Sequence, residues 1–510
     1  MFTDELRDKV WNEIRQHDVR AFAKQLTPGI FAEAASRANV KIGRSALNLV
    51  NLAWLGIAKA IHHSATFAFV LTSTLKLLED QKSFYSTPVG KQKANSNRAK
   101  QRCRKGRGGK KSKHNPHGDD PTQVTEEAFA QARQRMPMAF WAALLTILAE
   151  RFQQDHSRHC LFRGFRLLAM DGTTLKLPRA EALCQYYGTP KNGTRTKAAP
   201  QARMVMLTLP DVRIPIAYEV APIGQSEIEL AMRLVDHVQA RDLALIDRGF
   251  ISYGLFWALQ RRGAFFGTRL KKNLKYKTVK ALAPKDSLVE WRPKDSCGKW
   301  KQLGLEPSIR LRVIHYQIPG FRPSAIVTNV LDPQRLSRED WVRLAGNCDQ
   351  GQLKPGLYHR RWEIETSFRE LKVVLHTKSL RSHTPASVEY ELAGRVVDYL
   401  LIRWLIVQAA ETHAIELLRI SFTNAVRELE AMRPTLLVSD ERWVKRELMP
   451  RLLDRIASHL VALRPGRHYP CPNDTQPKDR GNGQKQTASK ISTRVNTNRK
   501  NNKRQRPRQA

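Results

Sequence analysis

Paired cysteines are missing from this chain of 510 residues. Its six cysteines lie at positions 103, 160, 184, 297, 348 and 471, without the close pairs or the spacing of a zinc site. This absence excludes a disulfide-stapled secreted scaffold and a zinc finger, and it indicates a reduced, intracellular chain. His156 and His159, beside Cys160, could suggest a metal site, but two histidines three positions apart on a helix are more often surface residues.

Long apolar runs are missing as well. The Ala-rich and Leu-rich stretch from Ser45 to Leu78 is interrupted by Asn51, Lys59 and other polar residues before an apolar window of about 18 residues can form. We therefore predict a buried helical hairpin here and no membrane association. The first residues do not resemble a secretory signal.

Acidic residues are in short supply. Only 47 Asp and Glu oppose 87 Lys and Arg, which leaves a net charge of +40. Lys91–Lys113 holds 11 Lys or Arg and no acid, and Gln476–Ala510 holds 11 with one acid. Such runs bury too little apolar surface to fold alone, and they favour nonspecific contacts with nucleic-acid phosphates. Ribosomal and nucleoid proteins carry tails of the same composition. The charge pattern therefore indicates a nucleic-acid partner without identifying which kind. GRGGKKSK in the first run lacks P-loop spacing, which argues against an ATPase.

One stretch, LYHRRWEIETSFRELK, combines aromatic, cationic and acidic side chains at helical spacing. Tyr358, Arg361, Glu365 and Lys372 fall within an arc of about 60° on an ideal α-helix, beside an apolar stripe. The pattern predicts an amphipathic helix with a polar row along its edge, and Pro355 suits its first turn. An ordinary helix with solvated charges would explain the same residues.

Two aspartates lie upstream at the ends of predicted strands. FRLLAMDGTT predicts a strand ending at Met170 with Asp171 in a turn, and DLALIDRGF predicts a buried strand ending at Ile246 before Asp247. Ligands bind at the carboxyl ends of strands in open sheets, although each aspartate alone is more often a turn or cap residue. Together with Glu365 they supply three carboxylates, which need cations if they converge in a cleft. Oxygen ligands favour Mg²⁺ or Mn²⁺.

The spacing Y-x2-R-x3-E-x6-K, preceded by one aspartate in MDGTT and another in IDRGF, resembles the DDE transposases of the insertion-sequence-four family. All four motif positions match. The resemblance extends from about Thr125 to about Pro470 and includes EEAFAQARQRMP, AGRVVDYLLIRWLI and RPGRHYP. It implies an α/β fold with an RNase H-like catalytic core interrupted by a β-rich insertion, a helical N-terminal domain and a helical C-terminal region. It also implies cut-and-paste transposition of a bacterial insertion sequence.

The order of predicted elements agrees with that fold. QARMVMLTLP and VRIPIAYEVAP predict two strands, SEIELAMRLVDHV predicts a helix capped by Ser226, ISYGLFWALQRRG predicts a helix ending at Gly263, and AFFGTRL predicts another strand. Short extended runs between residues 273 and 329, such as LRVIHYQI and SAIVTNV, predict the β-rich insertion. That insertion accounts for the long gap before Glu365.

These predictions divide the chain into eight parts. They are a helical N-terminal DNA-binding region (1–85), a basic disordered linker (86–121), a helical connector (122–160), the first part of the core (161–272), the β-rich insertion (273–353), the second part of the core with the catalytic helix (354–415), a C-terminal helical region (416–475) and a basic disordered tail (476–510).

The resemblance assigns the chemistry to three residues. Asp171, Asp247 and Glu365 would be the catalytic carboxylates and would hold two Mg²⁺ ions about 4 Å apart, for which Mn²⁺ can substitute. Water would make the first nick, and the freed 3′-OH would then attack the opposite strand to form a hairpin at the transposon end. Reopening of the hairpin precedes joining to target DNA.

The resemblance also assigns the partners. Arg361 and Lys372 would bind DNA phosphate near the transposon end, Arg as a fork and Lys as a point charge, and Tyr358 would supply a hydroxyl there. The partners are double-stranded DNA, as terminal inverted repeats and target, and a second copy of the chain in a synaptic homodimer. The expected location is the cytoplasm, associated with the nucleoid.

One feature of related enzymes is absent from its expected place. They ease the strained hairpin by stacking a flipped base on an aromatic side chain of the β insertion, and SAIVTNV has no aromatic residue. Trp291, Trp300 and Trp341 lie elsewhere, and tryptophans of this kind are more often packing residues. The base-stacking position therefore stays unassigned.

Two other functions use some of the same residues. A basic DNA-binding relative with unused catalysis would explain the charge but has no need for three converging acids. A simple RNase H-like nuclease would share the acids but has no use for the row of Tyr, Arg and Lys.

Overall fold

The computed structural model describes residues 20–22, 24–43, 47–61, 125–190, 198–294, 298–317, 322–342, 356–439 and 441–462. All of them fall within one compact unit, Met1–Arg467. Both basic runs, Pro355, RPGRHYP and the second half of the predicted N-terminal hairpin lie outside the described residues.

The described residues form a mixed α/β fold around one ten-stranded sheet. Its strands are β1 (Leu161–Phe162), β2 (Phe165–Lys176), β3 (Gln201–Leu209), β4 (Ile214–Pro222), β5 (Asp242–Ile246), β6 (Phe265–Arg269), β7 (Lys277–Ala283), β8 (Asp286–Trp291), β9 (Ile309–Tyr316) and β10 (Ser324–Thr328).

The parallel strands lie at the centre of the sheet. The strand order is β4-β3-β2-β5-β6-β10-β9-β8-β7, and β1 pairs with β2. β5 is parallel to β2 and β6, whereas the remaining neighbours are antiparallel. Every residue of β5 is buried, as expected for a parallel strand covered on both faces, and this burial explains its nearly continuous apolar sequence.

Helices surround this sheet. They are α1 (Pro28–Arg37), α2 (Leu49–Ile61), α3 (Glu126–Gln134), α4 (Met138–Asp155), α5 (Glu181–Tyr187), α6 (Glu227–Leu234), α7 (Tyr253–Arg261), α8 (Lys299–Gln302), α9 (Arg338–Val342), α10 (Trp362–Arg369), α11 (Pro385–Thr412), α12 (Phe422–Val438), α13 (Glu441–Trp443) and α14 (Met449–Ser458).

Helix α11 is buried along most of its 28 residues. It packs against α2, α4, α12, α14 and β4, so it joins the N-terminal helices to the sheet. A Cβ atom on Gly394 of α11 would come within 2.6 Å of the carbonyl oxygen of Gly56 in α2. The two backbones therefore approach closely because both positions lack a side chain.

Several predicted elements are confirmed. β3, β4, β6, β9 and β10 lie in the predicted stretches, and β10 pairs with β6, so the strands between residues 273 and 329 continue the same sheet. The Ser226 hydroxyl caps α6 by accepting the Ile228 N–H at 3.2 Å. α7 ends just before Gly263, whose φ is +69°, a conformation that glycine adopts without strain.

The predicted turn at Asp171 is wrong. β2 continues from Met170 to Lys176 because β3 pairs with it in antiparallel register from Lys176 back to Ala169. Its parallel neighbour β5 stops at Ile246, opposite Met170. Asp171 therefore lies in mid-strand, but it is still at the carboxyl edge of the parallel pair.

The motif stretch is not one continuous α-helix. A 3₁₀ turn spans Leu357–Arg361, α10 spans Trp362–Arg369, and a π turn spans Glu370–Val374. Such local changes of pitch commonly occur at functional sites. The ideal-helix angles predicted for Tyr358 and Lys372 therefore do not apply.

Two smaller predictions had different outcomes. His156 is buried rather than on the surface, and it lies with His159 against the carboxylate of Glu411, at 3.0 and 2.9 Å. The packing roles of Trp291 and Trp341 are confirmed by their burial. Within the described residues, no helix is long and apolar enough to cross a membrane.

Candidate active site

Each of the three predicted carboxylates lies on a different element. Asp171 follows the last residue of β2 that pairs with β5, and its Oδ1 accepts the Gly172 N–H at 2.8 Å. Asp247 follows β5 and accepts the Gly249 N–H at 2.9 Å, which caps a short 3₁₀ turn. Glu365 lies in the first turn of α10. Because β2 and β5 are parallel, both aspartates leave the sheet at the same edge.

A single buried arginine contacts all three carboxylates. Nη1 of Arg361 lies 3.0 Å from Oδ2 of Asp171, and Nη2 lies 3.0 Å from Oε1 of Glu365 and 3.7 Å from Oδ1 of Asp247. The Arg361 side chain is 4% exposed, whereas those of Asp247 and Glu365 are 36% and 42% exposed. The acids therefore meet at a buried cation and keep one side open to solvent.

Burial shapes the acid–base properties of this cluster. It raises the pKa of Asp171 to about 6, since Arg361 and the Gly172 N–H only partly offset the desolvation, and Asp247 and Glu365 add like charge. Burial alone would lower the pKa of Arg361, but the surrounding acidic groups raise it. The arginine thus stays charged, and Asp171 takes up a proton at a higher pH than an ordinary aspartate does.

Tyr358 is tied to the sheet. Its hydroxyl donates to the carbonyl oxygen of Ile246 at 3.3 Å, and burial raises its pKa to about 12. Ile246 ends β5 and immediately precedes Asp247. This hydrogen bond therefore fixes the 3₁₀ turn that carries Arg361 to the strand end that carries Asp247.

Lys372 reaches the same region from the π turn. Its Nζ donates to the hydroxyl of Thr173, which lies two residues after Asp171 and hence on the same face of β2. Burial, with Lys378 nearby, lowers the pKa of Lys372. None of the described carboxylates lies within ion-pair distance of Lys372, so its charge is available to an anionic ligand.

Helix α10 is anchored by ion pairs that sequence reasoning missed. Arg213, in the β3–β4 turn, contacts Oε2 of Glu363 at 2.5 Å and Oε1 of Glu370 at 3.0 Å. Glu370 also accepts from Arg403 and, at 2.8 Å, from the Tyr399 hydroxyl, both on α11. Glu363 and Glu370 lie seven positions apart, which places them on one helix face. That spacing is the only signal in the sequence, since the partners lie far away along the chain.

The three carboxylates suit a hard divalent cation, but in this structure they contact the guanidinium of Arg361 instead. The three side chains offer only carboxylate oxygens, which Mg²⁺ and Mn²⁺ prefer. In the described part of the chain, no group of three or more His, Cys, Asp or Glu side chains is close enough together to hold a metal ion. Arg361 contacts all three carboxylates, so a metal ion held by them would have to share them with this arginine or displace it.

Comparison with known proteins identifies relatives of this chain. Residues 163–401, which include all three acids, match the family model described as the transposase DDE domain. The chain is 27% identical over 295 residues to a transposase for insertion sequence element IS4 of Escherichia coli, covering 56% of this chain and 62% of the relative. It is 23% identical over 321 residues to a putative transposase of Sinorhizobium fredii, covering 62% of this chain and 80% of the relative.

A solved structure also matches. It is the synaptic complex of piggyBac transposase with hairpin DNA, which is 10% identical and covers 91% of this chain and 88% of that chain, with a TM-score of 0.35.

Proposed function

Residues 163–401 belong to the transposase DDE domain family, as the motif predicted, and from that premise we propose that this protein is a cut-and-paste DNA transposase of an insertion sequence. The observation that carries the proposal is the convergence of Asp171, Asp247 and Glu365 on Arg361. DNA binding alone has no need for three acids in one site, because they repel phosphate.

An RNase H-like core is the second element of the proposal. The order β4-β3-β2-β5-β6 supports it, because three antiparallel strands in sequence are followed by a helix and a parallel strand beside the first. This order places β2 beside β5 near the centre of the sheet. Asp171 and Asp247 lie at the carboxyl end of this parallel pair. The β-rich insertion then returns the chain to the same edge at the motif stretch.

DDE transposases use divalent metal ions, and we assign Asp171, Asp247 and Glu365 to hold two Mg²⁺, for which Mn²⁺ can substitute. When bound, the metal would lower the pKa of the attacking water and stabilise the leaving 3′ oxygen. Asp171 must be deprotonated to serve as a ligand, so metal affinity should fall as the pH drops through about 6. Its hydrogen bond from Gly172 holds the carboxylate in place for that role.

The motif cations are placed to hold the phosphate. Arg361 can donate to two phosphate oxygens as a fork when it releases the carboxylates. Lys372 would add a point charge, since its present partner, the Thr173 hydroxyl, is neutral. Tyr358 either contributes its hydroxyl directly or, as its bond to Ile246 indicates, holds Arg361 in register.

The proposed substrates are duplex terminal inverted repeats and target DNA, and the proposed intermediate at the transposon end is a hairpin. The synaptic form is proposed to be a homodimer. Size-exclusion light scattering with and without end DNA tests this assembly. A doubled protein mass on end DNA supports the dimer, and a single copy bound to each separate end throughout the reaction contradicts it.

Cleavage of a duplex carrying the element's own terminal repeats tests the function. Wild type should nick at the repeat boundary with Mg²⁺ and not with EDTA, whereas Asp171→Asn and Glu365→Gln should bind the duplex without nicking it. Asp454→Asn, an exposed aspartate on α14, is the matched control and should nick normally. Binding without cleavage by the wild type would instead identify a DNA-binding relic.

A further inference from the structure

A strongly basic segment leaves the active-site edge of the sheet. Residues 269–285 contain seven basic side chains and no acid, although the mechanism described above uses none of them. The seven are Arg269, Lys271, Lys272, Lys275, Lys277, Lys280 and Lys285. We call this segment the basic strip.

The basic strip begins beside the catalytic aspartate. β5 and β6 pair in parallel register, with Leu243 opposite Phe265 and Leu245 opposite Gly267. Continuing that register places Arg269, the last residue of β6, level with Asp247. Lys271 and Lys272 thus follow β6 at the same edge at which Asp247 follows β5.

The basic strip ends at the outer edge of the sheet. β7 is the terminal strand, and its lysines, Lys277 and Lys280, are exposed. β7 lies five places from β5 in the strand order, which corresponds to about 24 Å at the usual spacing between strands. The basic strip therefore extends from the reaction centre to a rim of the molecule.

In the described part of the chain, the lysines of the basic strip form no ion pairs, and their nearest acidic influence is that of Glu290 on Lys277. Among the described residues, no carboxylate lies within ion-pair distance of any lysine in the strip. Glu290 lies opposite Lys277 in the sheet, but its carboxylate bonds with Ser308 at 2.7 Å and Arg292 at 3.2 Å. Five of the six lysines are exposed, and Lys271 is partly buried.

We propose that the basic strip binds the phosphate backbone of the duplex DNA whose end reacts at the carboxylates. Unpaired lysines recognise phosphate as point charges without regard to sequence. A distance of about 24 Å corresponds to about seven base pairs of duplex. The contact therefore covers DNA up to about seven base pairs from the cleaved bond, and it rests on the proposed transposase function.

Protection of a sheet edge is the competing explanation. Exposed lysines and β-bulges on edge strands prevent unwanted pairing between molecules, and the β7–β8 pairing is irregular at two places. That role applies to Lys277 and Lys280. It does not apply to Lys272 and Lys275, which precede the strand, so these two lysines separate the explanations.

The test compares two variants that lose the same charge. Lys272→Gln combined with Lys275→Gln removes two exposed charges from the basic strip, and Lys445→Gln combined with Arg446→Gln removes two exposed charges near α14. Affinity for the terminal-repeat duplex is measured by fluorescence anisotropy over a series of salt concentrations. The strip variant should lower the slope of log K against log salt by about 0.9 for each lost phosphate contact, hence by about 2.

The control variant should keep the wild-type slope. An equal slope for the strip variant and wild type overturns the proposal. Cleavage by the wild type is scored separately, so failure of the basic strip and failure of the proposed function give different results.

A measurement on the unaltered protein removes any dependence on the folding of the variants. Bound duplex should protect Lys272 and Lys275, but not Lys445, from an acetylating reagent, as measured by mass spectrometry. Equal labelling of all three lysines with and without DNA would also overturn the proposal.

Discussion

Removing the Asp171 carboxylate should make the metal-free protein more stable. Asp171 is held at 16% exposure beside two other acids, and its pKa is raised to about 6 from an ordinary value of 3.8. The folded state therefore resists ionisation of this group, which the unfolded chain ionises freely. Asparagine removes the negative charge but keeps only one acceptor oxygen, in place of the two that accept from Gly172 and Arg361. Asp171→Asn therefore relieves the cost of the charge at the expense of one of these hydrogen bonds.

The size of the effect follows from linkage. A folded pKa above the unfolded pKa means that the wild type loses stability as the pH rises from 3.8 to about 6. A shift of about two units corresponds to about 3 kcal/mol above pH 7, and about half of that cost is already present at pH 5. We expect Asp171→Asn to gain about 1–3 kcal/mol in EDTA at pH 8 and less at pH 5, because asparagine only approximates a protonated carboxyl group.

Urea denaturation in EDTA at pH 5 and pH 8 measures this effect. Asp454→Asn serves as the control, since an exposed aspartate, here 61% exposed, should change stability by less than about 1 kcal/mol. Mg²⁺ should then stabilise the wild type more than Asp171→Asn, because only the wild type keeps its full set of ligands. The reasoning fails if Asp171→Asn is no more stable than wild type at pH 8, or if the gain does not shrink at pH 5.

Three further predictions address the surroundings of the site. Arg361→Gln removes the cation that competes for the acids, so calorimetry without DNA should show Mn²⁺ binding at least about tenfold tighter, and unchanged affinity would contradict this competition. Glu370→Gln breaks a buried pair with Arg403 and should cost about 3–5 kcal/mol in urea denaturation, whereas a loss below 1 kcal/mol would remove its anchoring role. Gly267→Ala would push a Cβ into the Trp341 ring and should cost about 1–3 kcal/mol by the same measurement; full stability would show that the ring has room to move.

Local patterns in the sequence predicted much of this architecture. Alternating apolar residues located β3 and β4, the Ser226 cap located the start of α6, and a continuous apolar run located β5. These features depend on residues close together in sequence. The identities of Asp171 and Asp247 as converging acids came from their predicted positions at strand ends together with the family motif, although β2 in fact continues past Asp171.

Long-range contacts explain what the sequence did not reveal. The extension of β2 past Asp171 depends on pairing with β3, whose partner residues lie some thirty positions away. The contact of Arg361 with two acids on separate strands, and the pairing of Glu370 with Arg403, arise only when the chain is folded. The change from 3₁₀ to α to π geometry across the motif has the same origin, since propensity does not distinguish these forms of helix.

Strand joining is the most direct test of the central claim that these three acids perform transposition rather than simple hydrolysis. A pre-cleaved transposon end bearing a 3′-OH is incubated with supercoiled plasmid and Mg²⁺. Wild type should join the end to the plasmid covalently, and Asp171→Asn, Asp247→Asn and Glu365→Gln should bind the end equally well and join none. Plasmid nicking without joining by the wild type would contradict the account and identify a nuclease.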